Sequence, residues 1–295
     1  MKTTKFLDYD CVSLENASLS LLVTQSVGPR VISLCLNGGD NLFAVLPDFV
    51  TRRPDGENFH FHGGHRLWHA PEHMPRTYVL DNAPVTIEQM QNSLSITQQV
   101  ELETGIEKSI HISVVDDKPQ VVVRHTLTNC GPWPVECAPW AITQFRTGGI
   151  AILPQSQTHT EFLPNRSLAL WPYTDITSAH VSWGNRYILV RSEIKEGAFK
   201  IGFPNPRGWL AYWRSGTLFV KRATFEAQAA YYDFGSSSEC YCNNQFLELE
   251  TLAPIGTLSP RASATHTETW ELYDNVEPPE NEDTVQAIVE KLGLG

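Results

Sequence analysis

Basic charge is scarce in this chain: Lys and Arg number 22 against 33 Asp and Glu, and charged residues of both signs make up only 19%. A net charge of −11 argues against a nucleic-acid partner, because phosphate binding needs clustered Lys and Arg. Long apolar runs are missing too. No stretch approaches the ~18 apolar residues of a membrane span, so no membrane partner is expected. The N-terminus, Met1-Lys2-Thr3-Thr4-Lys5-Phe6-Leu7-Asp8, lacks the apolar segment of a secretory signal. The six cysteines, Cys11, Cys35, Cys130, Cys137, Cys240 and Cys242, follow neither a disulfide framework nor a zinc spacing, and Cys240 with Cys242 makes only a C-x-C pair. Reduced thiols and a cytoplasmic location are the expectation. Internal repeats and Gly/Ser linkers are absent as well. One domain over residues 1–295 is therefore expected, with its core over about 10–275 and an acidic tail and helix over 276–295. The sequence is silent on oligomeric state.

What is present is strand signal. Hydrophobic residues reach 41%, enough for a large core and too many for global disorder. Ser18–Thr24 and Arg30–Leu36 are β-rich, joined through Ser26-Val27-Gly28-Pro29, and Asn37-Gly38-Gly39-Asp40 is a sharp turn. Ser93–Glu103 alternates, Ile106–Val115 answers it across Thr104-Gly105, and Asp116-Asp117-Lys118-Pro119 turns the chain into Gln120–Thr128. Further strands are expected at 135–144, 179–183, 187–191, 199–203, 209–213, 217–220, 246–252 and 265–273. Many short strands at near-regular spacing predict an all-β antiparallel sandwich of large sheets. One helix is expected near the C-terminus, capped by Asp283, with Val285, Ile288, Val289 and Leu292 facing the outside of the sandwich.

Three segments carry candidate chemistry. In Phe59 to His73, five of the ten histidines fall within fourteen residues, beside Arg66, Trp68 and Glu72. Imidazole, guanidinium and indole supply a titratable group, a donor fork and a stacking plate, and paired Gly63-Gly64 permits close approach to a ligand. His65, Arg66 and His69 are read as functional, since an idle Arg among apolar neighbours would be costly to bury. His60 and His73 are read as loop or packing residues. The spacing matches no standard zinc motif, so no essential metal is expected, although a histidine cluster is also a metal-site composition.

In Phe246-Leu247-Glu248-Leu249-Glu250-Thr251-Leu252, Glu248 and Glu250 share one strand face with Phe246. Two adjacent carboxylates repel, which raises one pKa toward a usable base. A solvated acidic face is the plainer alternative. In Cys137 to Phe145, Trp140, Ile142 and Gln144 share a face, where Trp140 and Gln144 suit either a sugar-binding surface or, for the indole, the core. Lys200, Trp209, Tyr212, Trp213 and Lys221 are secondary pocket candidates.

These segments in this order resemble the galactose mutarotase-like (aldose 1-epimerase) superfamily, and most of all a branch described as a domain of unknown function. The resemblance rests on Gly28-Pro29-Arg30-Val31, Asn41-Leu42-Phe43, Gly63 to Glu72, Ala138-Pro139-Trp140-Ala141, Phe246 to Pro254, Leu258-Ser259-Pro260 and Thr265 to Leu272. It implies a β-supersandwich whose concave sheet binds a monosaccharide and needs no cofactor. It places Glu250, in its Leu-Glu-Thr context, as the base that takes the anomeric proton. The mid-chain histidine that serves as acid in the mutarotases is missing from Ala138-Pro139-Trp140-Ala141, so His65 or His69 is expected to replace it. Arg66, Trp68, Glu72, Trp140, Gln144 and Glu248 are the expected substrate-binding residues. Three functions stay open on this basis: an aldose 1-epimerase-like isomerase, a non-catalytic sugar-recognition protein, and a metal-dependent sugar enzyme. The separation of His65 and His69 from Glu250 discriminates among them.

Overall fold

Alternation of buried and half-buried residues dictates the architecture. Along Ile106–Val114 every second side chain is buried, and Gln120–Asn129 and Ser263–Tyr273 follow the same period of two. The computed structural model describes residues 2–295; Met1, the first residue of the N-terminal segment read above, lies outside them. Strand makes up 49% and helix 6%. No helix among the described residues is long and apolar enough to cross a membrane.

Two large antiparallel sheets pack face to face. The first has eleven strands, and its centre runs Arg30–Leu36, His65–Ala70, Val135–Arg146, Phe246–Leu252, Ser238–Cys242, Phe199–Phe203. The second has ten, with Trp209–Arg214, Thr217–Ala223, Ser263–Tyr273, Gln120–Asn129 and Ile106–Val114 at its centre. Between them lies the main core, where Leu67, Phe145 and Leu249 of the first sheet meet Val121, Phe219 and Trp270 of the second. Phe43 stands edge-on to Phe145, Phe219 and Trp270 at centroid distances of 5.7, 6.3 and 5.8 Å, so aromatic packing locks the sheets together.

The central strands of the first sheet break the simple alternation, because both of their faces are covered. Every residue of His65–Ala70 and of Phe246–Leu252 is buried. On the far face the cover is a separate two-stranded sheet, Val45–Arg52 with Asn58–Gly63, which forms a flap. The sequence reading did not anticipate this flap. Its first strand is largely exposed and carries Pro47, so it lacks the half-buried alternation that marks a strand.

Gly63 and Gly64 link the flap to the sheet, and their role differs from the expected close approach to a ligand. Both have positive φ, +94° and +73°, and each lies against backbone. A Cβ on Gly63 would stand 2.1 Å from the Ala44 carbonyl oxygen, and one on Gly64 2.1 Å from that of Val31.

Two further expectations need correction. Ser93–Glu103 is not one strand: the strand ends at Thr97, and Glu101 instead folds inward, where its carboxylate takes bonds from Gln98, Thr104 and Lys108. The C-terminal helix spans Glu282–Leu292 and is capped by Asn281 rather than Asp283. The Asn281 side chain accepts from the backbone N–H of Asp283 and Thr284, and the Thr284 hydroxyl accepts from the N–H of Asn281. Val285, Ile288 and Val289 pack with Trp209, Leu189 and Val220 on the outer face of the second sheet.

The glycine geometry gives a stability test. Gly64→Ala should lose about 3 kcal/mol in urea unfolding, from strained φ plus backbone collision. Gly197→Ala, at a similar φ of +74° but in open space, should lose about 1 kcal/mol. Equal losses would mean that the close approach to Val31 does not matter.

Candidate functional site

Strand register places a set of polar and aromatic side chains on the covered outer face of the first sheet. Residues directly opposite one another across strands share a face. Arg66 pairs with Ile142, Ile142 with Glu250, and Glu250 with Glu239. One row further along, Gln144 pairs with Glu248, Glu248 with Tyr241, and Tyr241 with Lys200. Trp68 pairs with Trp140 on one side of these polar rows, and Phe246 closes the other.

Above them is a cavity of about 340 Å³. Its charged lining comes from Arg66, Glu72, Lys200 and Glu248. Trp68, Trp140, Tyr78, Tyr173 and Tyr241 supply aromatic walls, and the flap adds Phe49 and Phe61.

The ion pairs here divide the carboxylates. Arg66 is almost fully buried, with Nη2 3.1 Å from Glu248 Oε1 and its guanidinium 4.3 Å from the centre of the Trp68 ring. Among the described residues its Nε and Nη1 have no hydrogen-bond partner. Lys200 Nζ lies 2.8 Å from Glu239 Oε2 and 3.0 Å from Glu250 Oε2, and 4.8 Å from the centre of the Trp140 ring. The Trp140 indole N–H also donates to Glu250 Oε2 at 2.8 Å.

Burial pushes Lys200 down, but Glu239 and Glu250 outweigh it and hold the ammonium well above its ordinary pKa. Burial raises Glu239 well above the carboxylate range against the pull of Lys200. Burial, opposed by Arg66 and assisted by Glu250, lifts Glu248 to about 7. The site thus presents a fixed cation and one carboxylate that titrates near neutrality.

His65 and His69 lie on the opposite face, and the expectation that they join Arg66 and Trp140 in one concave pocket does not hold. The segment is a strand, so residues 65, 67 and 69 face the interior while 66 and 68 face the cavity. His65 Nε2 meets His125 Nε2 at 2.7 Å, and His65 Nδ1 meets the Thr143 hydroxyl at 2.8 Å. His69 Nε2 lies 3.5 Å from Glu101 Oε2, which pairs with Lys108 of the second sheet. Burial lowers the pKa of both rings, His65 by far. Both are walled off from the cavity by the sheet itself.

The remaining expected residues divide as follows. Arg66, Trp68, Glu72, Trp140 and Glu248 line the cavity. Glu72 accepts the Tyr78 hydroxyl there. Gln144 and Glu250 share the face but are wholly buried beneath the lining, Glu250 sealed by Trp140 and Lys200. Of the secondary candidates only Lys200 belongs to the site. Trp209 packs near the C-terminal helix, Trp213 donates to the Val276 carbonyl, and Tyr212 and Lys221 are in the interior. Sequence reasoning missed Glu239, Tyr241, Tyr78, Tyr173 and the flap phenylalanines. Only Glu239-Cys240-Tyr241 carried a signal, as polar residues alternating with a buried cysteine.

A second polar cluster lies between the sheets. His65, His125 and Glu268 bring ligand atoms within 4.8 Å of one another, the one grouping among the described residues with metal-site composition. The hydrogen bonds already close this network. His125 Nδ1 donates to the His266 carbonyl at 3.0 Å, which leaves its Nε2 to accept from His65 Nε2–H and His65 Nδ1 to accept from Thr143. Lys221 Nζ stands 2.9 Å from Glu268 Oε1, where a cation would sit, and Trp270 donates to Glu268 Oε2 at 2.8 Å. The donor set fits a hydrogen-bonded pin better than a metal. The five histidines of 60–73 do not converge: His60 bonds the Pro47 carbonyl, His62 meets Tyr9 and Asn82, and His73 is exposed.

Comparison with solved structures identifies the architecture. Over 89% of this chain and all of the other, it superposes on a galactose mutarotase-like protein from Lactobacillus casei ATCC 334 with a TM-score of 0.59 at 12% identity. The fold is galactose mutarotase-like. A candidate aldose 1-epimerase from Escherichia coli K12 matches 90% of this chain and 99% of its own, with a TM-score of 0.55 at 12% identity. The chain also spans half of a TPR-domain containing protein from Parabacteroides distasonis ATCC 8503, at a TM-score of 0.61 and 16% identity, covering 93% of itself. No protein-family model matches the chain, and no curated protein matches its sequence. At these identities the likeness is one of fold.

The raised carboxyl of Glu248 couples stability to pH in this mutarotase-like sandwich. Its folded pKa of about 7 exceeds the ordinary 4.5, so the folded state holds the proton more tightly. That contribution is complete below about pH 4.5 and is lost as pH rises through about 7. Glu248→Gln should therefore gain stability relative to wild type by about 2 kcal/mol more at pH 8 than at pH 5, read by urea unfolding at each pH. A difference between variant and wild type that is flat with pH would refute the raised pKa.

Proposed function

We propose that the concave cavity binds a sugar with a free anomeric centre and exchanges its anomers by acid–base chemistry. The observation that carries this reading is Glu248, a cavity-lining carboxylate held by Arg66 and raised by burial to about 7, the range suited to a general base at neutral pH. The aromatic walls suit stacking of a pyranose, and the charged groups of Arg66, Lys200 and Glu248 on the lining suit its hydroxyls. The mutarotase-like fold supports a carbohydrate ligand as an analogy of fold.

In this reading Glu248 takes the proton of the anomeric hydroxyl as the bond between the anomeric carbon and the ring oxygen breaks. The ring oxygen leaves as an alkoxide, the carbonyl group rotates, and on reclosure that oxygen attacks the other face of the carbonyl carbon while Glu248 returns its proton to the new anomeric hydroxyl. Lys200 is the group placed to assist that oxygen. It lines the same cavity as Glu248 and lies two strands from it in register. Glu239 and Glu250 keep it charged, so it can hydrogen-bond and stabilise the developing alkoxide. Glu250, the base that the resemblance implied, then anchors Lys200 and Trp140.

A second reading is favoured by one observation: among the described residues, no histidine lines the cavity. A non-catalytic sugar-recognition protein needs no proton donor.

Glu248→Gln should leave sugar affinity within about threefold and slow anomer exchange by roughly two to four orders of magnitude, followed by polarimetry. The wild-type rate should climb with pH and level off above about 7, as the carboxylate forms. Survival of exchange in Glu248→Gln together with its loss in Glu250→Gln would move the base to Glu250. Wild-type protein that binds sugar but exchanges anomers no faster than buffer would establish the second reading.

A further inference from the structure

We infer that Trp171 is a positioning residue of this site, which walls in the Lys200 ammonium and fixes it at the cavity; the inference rests on the role given to Lys200 above. Trp171 itself lies outside the cavity lining. Its ring centre stands 4.7 Å from Lys200 Nζ, and that of Trp140 stands 4.8 Å from the same atom. Two indoles and the carboxylates of Glu239 and Glu250 thus enclose one cation. Trp140 is tied down by the bond from its N–H to Glu250. Trp171 is half-buried at the surface, and the chain around it does the holding.

Ala169–Leu170 is the outermost strand of the first sheet and pairs with Gly202 and Ile201. One more step of that ladder would set Trp171 opposite Lys200. The chain turns instead, and the Thr174 N–H donates to the Trp171 carbonyl at 2.9 Å. The Thr174 hydroxyl then serves the Lys200 backbone in place of a strand. It donates to the Lys200 carbonyl at 2.6 Å and accepts from the Lys200 N–H at 3.0 Å. This bracket carries the indole over the ammonium.

Gly202 makes the room. It faces the same side of its strand as Lys200 and lies opposite Glu239. A Cβ there would stand 2.4 Å from Ser236 Oγ and 3.3 Å from Trp171 Cη2. The Ser236 hydroxyl is committed to the Asp233 carbonyl at 2.6 Å, so a side chain at 202 would press on the indole. Gly202 has no positive φ, so packing rather than backbone conformation calls for glycine here.

Labelling of the folded full chain with acetic anhydride, read at Lys200 by peptide mass spectrometry, tests the enclosure without any sugar. Lys200 should be protected in the wild type and in Trp171→Phe. It should react about tenfold faster in Trp171→Ala and in Gly202→Ala, with urea midpoints confirming that each variant is folded. Anomer exchange of glucose and galactose, followed by polarimetry, tests the positioning. Trp171→Ala should lower kcat about tenfold with KM within about threefold, and Trp171→Phe should restore kcat to within about threefold of wild type. In a Lys200→Met background, Trp171→Ala should cause no further loss. Unchanged labelling in Trp171→Ala, or the same loss with and without Lys200, overturns the role of Trp171. Wild-type protein that exchanges no anomers, while Trp171→Ala still exposes Lys200, refutes the exchange reading and upholds Trp171 as the residue that holds Lys200.

Discussion

The Lys221 ammonium is fully buried between the two sheets, and the geometry of the cavity floor hangs on it. Its strand belongs to the second sheet, yet it donates to the carbonyl oxygens of Leu249 and Ala141 at 3.0 and 3.4 Å and pairs with Glu268. Those two carbonyls lie on the adjacent strands that carry Glu248, Glu250, Trp140 and Ile142 on their other face. One cation thus ties the backbone of the floor to the opposite sheet. Burial alone would raise Glu268; Lys221 and the imidazoles around it hold its pKa well below the ordinary range instead. Removing one member of a buried pair typically costs about 3–5 kcal/mol, because the survivor is left charged and unpaired. The histidines between the sheets extend the pin: His266 meets Thr251, whose hydroxyl donates to Glu268. Their chemistry is spent on holding sheets at a fixed spacing, which is why none of it reaches a ligand.

On the cavity side the same principle operates with the opposite outcome. Three carboxylates and two cations share one face, so the pairing cannot come out even. Lys200 sits between Glu239 and Glu250 and satisfies neither completely: Glu250 Oε1 has no hydrogen-bond partner among the described residues. Arg66 gives Glu248 a single Nη2 contact and spends its flat face on Trp68. An interior built only for stability would pair these groups fully or replace them with apolar ones. The shortfall leaves Arg66, Lys200 and Glu248 charged at the cavity lining, with Glu239 and Glu250 buried beneath it.

Much of this was legible in the sequence, and what was not has one cause. The sandwich, the shared face of Glu248 and Glu250, and the shared face of Trp140, Ile142 and Gln144 all follow from a period of two. The histidine assignments failed where that period was set aside. Gly63-Gly64 reads as a break followed by loop, and in a loop His65, Arg66 and His69 can converge on one ligand. In a strand they cannot: whichever face Arg66 takes, His65 and His69 take the other. What hid the strand is burial on both sides, since a sheet covered by a second sheet beneath and a flap above shows no polar face to betray its alternation. The same double cover concealed Glu239, which stands in a cysteine-flanked strand, and left Lys200 only a secondary candidate. A charged residue in such a strand has no solvent to face, so it must meet an opposite charge, a ligand, or both. That requirement, more than the density of histidines, marks where the chemistry of this chain resides.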